Sequence, residues 1–109
     1  MSIDTARIDT LQGFLKDDPE DTFVMFALAK EYEKLNVLKK AQDTYQQLLE
    51  VDSNYVGAYY HLAALQIELG EKEEALATYH EGIEKAKKVA DFHALSELMS
   101  AKTNLELEL

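Results

Sequence analysis

The residues best equipped for chemistry in this sequence are three histidines, His61, His80 and His93, and several acidic clusters. Two histidines at i, i+4 on one helix, or an HExxH pattern, would turn two imidazole nitrogens toward one metal ion. None of the three has such a partner. His61 and His80 fall on adjacent predicted helices, yet isolated histidines of this kind read as surface residues. Runs such as Glu71-Lys72-Glu73-Glu74 fit the solvated start of a helix, where carboxylates complement the positive end of the macrodipole. They do not read as a general-acid pair. The 109 residues include no cysteine, which excludes a disulfide, a thiol nucleophile and a thiolate metal site. Nor is there a glycine-rich phosphate loop, a GxSxG elbow or a P-loop. The expectation is a non-catalytic protein with no metal and no cofactor.

Charge narrows the choice of ligand. Twenty-one acidic residues against 11 basic ones give a net charge of -10. That field repels phosphate backbones and anionic bilayers, so neither nucleic acid nor a membrane is expected as a partner. A hydrophobic content of 47% is ordinary for a folded domain, and one proline with four glycines leaves little room for long loops. No apolar run approaches the roughly 20 residues that cross a bilayer. The opening MSIDTARIDTLQGF lacks a basic segment followed by an apolar one, so no secretory signal is read and a cytoplasmic location is expected.

The elements that must position any functional residue are helices. From Ala58 to Ala86, apolar residues recur at helical spacing in Tyr59, Leu62, Ala63, Leu65 and Leu69. They stop at Gly70 and resume in Ala75, Leu76, Tyr79 and Ile83. Gly70 can take the left-handed conformation that ends a helix. A shift of 34 positions finds a second copy of this pattern. Tyr59 falls on Met25, Leu62 on Leu28, Ala63 on Ala29, Ala75 on Ala41 and Tyr79 on Tyr45. Gly70 falls on Asn36, the other residue type that tolerates a left-handed turn.

These paired helices, with small, aromatic and turn residues matched across a full period, resemble the tetratricopeptide repeat family. The resemblance implies an all-α fold, a right-handed α-α superhelix of about six helices in a single domain over residues 1–109. A first helix is expected over 4–16, repeats over 22–55 and 56–89, and a closing helix over 91–105. Asp17-Asp18-Pro19-Glu20-Asp21 breaks the chain before the first repeat, and Asp52-Ser53-Asn54 is expected to cap the second in the same way. After Lys85-Ala86-Lys87-Lys88-Val89 the family's Asp-Pro pair is missing, so that helix can run a turn longer. The closing helix is expected to carry Phe92, Leu95, Leu98 and Met99 on one face. The tail Leu105-Glu106-Leu107-Glu108-Leu109 alternates but is too short for a strand, and reads as a frayed end or an added remnant. Gly82, in mid-helix, points to close approach of the last helix.

In the family, first helices line a concave groove in which peptides dock. Carried over here, the groove takes Phe23, Phe26, Lys30, Glu33 and Lys34 from the first repeat. The second gives Tyr60, Ala64, Ile67 and Glu68, and the closing helix Asp91, Ala94, Leu98 and Lys102. The implied function is a protein–protein interaction module that binds an apolar or amphipathic segment. The alternative is a homo-oligomer formed through the groove or the end helices. The chaperone-type carboxylate clamp, which the family builds from lysine, arginine and asparagine, is absent. Its first-repeat positions hold Phe26 and Lys30, the next asparagine is replaced by His61, and the last basic pair by Asp91 and Leu95.

Overall fold

The computed structural model describes residues 4–109. It contains six helices and no strand among the described residues. They are α1 (Asp4–Asp17), α2 (Thr22–Lys34), α3 (Leu38–Val51), α4 (Gly57–Glu68), α5 (Lys72–Val89) and α6 (Phe92–Glu106). The helices form two compact units, α1–α3 up to Asp52 and α4–α6 from Ser53 onward.

In the first unit α2 packs against both α1 and α3. The Asp21 side chain starts α2 by accepting from the Val24 amide at 3.1 Å, so the acidic break does cap this helix. Ala29 and Ala41 are wholly buried, and their small size lets α2 and α3 cross closely. Tyr45 and Leu48 fill the space beside them, and Ile8 and Leu11 supply the buried stripe of α1. Phe14, on the same helix, is exposed.

One buried group was not foreseen. Glu31 lies in the packed face of α2, where its Oε2 takes Arg7 Nε at 3.0 Å and Lys34 Nζ at 3.3 Å. Its Oε1 accepts no hydrogen bond from the described residues. Periodicity treats a glutamate as solvent-facing, and only the Lys34 three residues on hinted otherwise.

The second unit repeats this packing. The buried positions of α2 (Val24, Met25, Leu28, Ala29, Glu31, Tyr32) map one for one, 34 residues on, to those of α4 (Ala58, Tyr59, Leu62, Ala63, Leu65, Gln66). Ala63 and Ala75 mark the close crossing of α4 and α5. The cap of α4 differs from expectation. It falls on Val56, which makes no side-chain cap bond, and the turn is tied down by Tyr59, whose hydroxyl donates to the Ser53 carbonyl at 2.6 Å.

Three helices end alike. Asn36, Gly70 and Ala90 have φ of 60°, 81° and 60°. The amide after each donates back five residues, from Val37 to Tyr32, Glu71 to Gln66 and Asp91 to Ala86. The first two follow from the sequence. The third lies where α5 runs on to Val89, as the missing Asp-Pro pair allows.

The closing helix packs on α5 and α4. Contact from that side alone narrows its apolar face to a stripe through Ala94, Leu98, Ala101 and Leu105, with Leu98 and Leu105 fully buried. Phe92, at 71% exposure, and Met99 therefore lie outside the core, apart from the buried Leu98 of the face expected to carry all three. Leu105 anchors the tail that was read as frayed, and turn hydrogen bonds continue to Leu109. At Gly82 a Cβ would stand 2.7 Å from Tyr59 Cβ and 3.3 Å from Leu98 Cδ1. The tightest neighbour is thus α4, with the last helix second.

Candidate functional site

The expected groove residues separate into two surfaces, one in each unit. On α2, Phe23 is 76% exposed, and the half-buried Phe26 meets the buried Tyr45 edge-on with ring centres 5.8 Å apart. Lys30 is exposed one turn further along, and Lys34 is drawn to Glu31. Phe26 is held by α3 below it, while Phe23 rests on the solvent side.

On α4, Tyr60 takes the place of Phe26. Its ring is 42% exposed and meets the buried Tyr79 edge-on at 6.4 Å. Tyr60, Ile67 and Tyr79 form one wall of a cleft of about 430 Å3. The opposite wall is α6, through Ser100, Ala101 and Asn104 together with the carboxylates Glu97 and Glu108. These α6 residues escaped the sequence reading. Ala101 falls one period after Ile67, whereas Leu98, one period after Ala64, has turned inward.

Three expected residues accordingly move. Leu98 is 1% exposed and packs toward Gly82, a core residue and not a groove wall. Lys102 lies on the α5 side, beside Leu76, Ala77 and His80 in a separate depression. Ala64 is half-buried outside the cleft lining.

The cleft is electrostatically one-sided. Among the described residues no lysine, arginine or histidine lines it. Glu97 lies 3.5 Å from His93 on its own helix, and Glu108 3.6 Å from Lys72, all of them largely solvated. The four core tyrosines also differ. Tyr32 accepts from Gln12 Nε2 at 3.0 Å, Tyr45 donates to Glu33, and Tyr59 donates to Ser53. The Tyr79 hydroxyl makes no hydrogen bond among the described residues. Burial, and secondarily the neighbouring Tyr60, pushes its pKa above the ordinary value of 10.0.

His61 packs its ring beside Tyr60 at 6.2 Å, whereas His80 and His93 are exposed. No three acidic or histidine side chains come together as a metal site among the described residues.

A family model described as tetratricopeptide repeat matches residues 34–98. No curated protein matches the chain. Among solved structures, a tetratricopeptide repeat domain protein from Salinibacter ruber is 42% identical with a TM-score of 0.78, over 82% of this chain and 90% of that one. The TPR2B domain of yeast Sti1, solved as a complex with pHsp70, is 24% identical with a TM-score of 0.85 over 94% of this chain and 82% of that one. PcrH, in complex with the chaperone binding region of PopD, is 15% identical with a TM-score of 0.88 over 96% and 80%. These last two show a shared fold. The six helices of this chain therefore have the all-α helical-repeat fold.

Proposed function

This chain belongs to the tetratricopeptide repeat family, and from that premise we propose that it is a non-catalytic interaction module for an apolar or amphipathic segment of another protein. The observation that carries this reading is the duplicated aromatic pair. Each repeat sets an accessible or half-buried ring, Phe26 or Tyr60, edge-on against a buried tyrosine, Tyr45 or Tyr79. An accessible aromatic held rigid from below offers apolar contact area at low entropic cost, as binding anchors do. The complexes of the Sti1 domain and PcrH, which share this fold, support protein segments as the class of ligand.

The test is selection from a random peptide library on the immobilised protein. Wild type should enrich peptides that are lost in Phe26→Glu, in Tyr60→Glu, or in the double variant, with far-UV circular dichroism unchanged. Selection indistinguishable from a blank surface overturns the reading. A dimeric mass in light scattering, abolished by Tyr60→Glu, would replace it with self-association.

A further inference from the structure

The two repeats differ at one position that changes the fate of a core hydroxyl. In the first, Tyr45 donates to the Glu33 carboxylate. Thirty-four residues on, Tyr45 becomes Tyr79 and Glu33 becomes Ile67. With the acceptor replaced by an apolar side chain, the Tyr79 hydroxyl is left without a partner although the residue is only 4% exposed. Tyr79 and Ile67 both line the 430 Å3 cleft between α4 and α6. The hydroxyl faces the water of the open cleft, since among the described residues the buried side-chain polar atom without a partner is Glu31 Oε1. An acceptor on a ligand can take that water's place.

The charge of the cleft selects the acceptor. Among the described residues Glu97 and Glu108 are its only acidic or basic lining residues, on a chain of net charge -10. A carboxylate entering there meets like charge, so the acceptor is neutral, as a main-chain carbonyl is. Cationic side chains are drawn in by the same two carboxylates. The accessible face of Tyr60 favours them further. Ile67 and Ala101 supply the apolar contact.

We propose that this cleft binds a peptide segment carrying lysine or arginine beside an apolar side chain, with a main-chain carbonyl of the segment accepting the Tyr79 hydroxyl. The proposal rests on the interaction-module reading and fixes the partner's chemistry at the second repeat. Its sign is opposite to that of a carboxylate clamp.

The same peptide library tests it, followed by fluorescence anisotropy of the enriched peptides on wild type, Tyr60→Glu, Tyr79→Phe and the pair Glu97→Gln with Glu108→Gln. Peptides lost on Tyr60→Glu should be rich in lysine or arginine and poor in aspartate and glutamate. Tyr79→Phe should weaken them about fivefold, the worth of one hydrogen bond, without altering the salt dependence. The double glutamine variant should weaken them about two- to tenfold and flatten the salt dependence. Three results overturn the inference while the module reading survives. The enriched peptides are acidic, they are lost on Phe26→Glu and not on Tyr60→Glu, or Tyr79→Phe and the glutamine pair bind as wild type does. An absence of any enrichment overturns both. Tyr79→Phe removes no internal hydrogen bond, so its folding serves as the control.

Discussion

Gly82 allows a sharp test of how closely the second unit is packed. In a helix interior, glycine to alanine ordinarily stabilises by about 0.5–1 kcal/mol. At Gly82 the new methyl would lie 2.7 Å from Tyr59 Cβ, 3.0 Å from its Cγ and 3.3 Å from Leu98 Cδ1. The leucine methyl can rotate aside, but Tyr59 Cβ is fixed to the α4 backbone, so α4 and α5 must separate. Overpacking of this kind costs about 1–3 kcal/mol. Clash outweighs propensity, and Gly82→Ala should lose about 1–2 kcal/mol. Followed by far-UV circular dichroism in urea, that loss lowers the midpoint by about 0.5–1 M. Gly13 is the control, since a Cβ there meets nothing within 4 Å. Gly13→Ala should gain about 0.5–1 kcal/mol. A Gly82→Ala midpoint equal to or above wild type would refute the close crossing.

Two further pairs of substitutions should also split in sign or size. Tyr45→Phe forfeits the bond to Glu33 and should cost about 1 kcal/mol, whereas Tyr79→Phe should leave neutral-pH stability within about 0.5 kcal/mol. Tyr79 ionises in the unfolded chain before the folded one, so it supports stability below about pH 10 and loses that support above it. The urea midpoint of Tyr79→Phe should accordingly fall less than wild type's when the pH is raised from about 9 to about 11. Gly70→Ala should cost about 1 kcal/mol and Ala90→Gly gain about as much, because both positions hold the left-handed conformation that penalises a Cβ. Thermal melts of the two variants check this.

Where the chain repeats itself, the sequence was legible to the residue. Asn36 could be read as a left-handed turn because Gly70 stands one period later, and Ala29 as a crossing point because Ala63 does. The α6 positions were not legible by that route. The repeat register places Leu98 with Ala64 at the groove, whereas Leu98 packs inward, and Glu97 and Asn104 line the cleft instead. Glu31 escaped because hydrophobic period ranks residues by polarity and cannot see Arg7 arriving from another helix. The loss of an acceptor at Ile67 was visible in principle. It required comparing the two copies for their hydrogen bonds as well as for their apolar pattern.

Ala90 has a kinetic consequence. An alanine held left-handed spends about 1–2 kcal/mol that glycine would not, and the two hydrogen bonds that the Ala90 and Asp91 amides donate at the end of α5 work against that strain. Openings of the last turn before Val89 are thus cheaper than those of the turn before Gly70. In native-state hydrogen exchange the amides of Ala90 and Asp91 should exchange ahead of those of Gly70 and Glu71. The order of local unfolding along the chain is set, at that junction, by one methyl group.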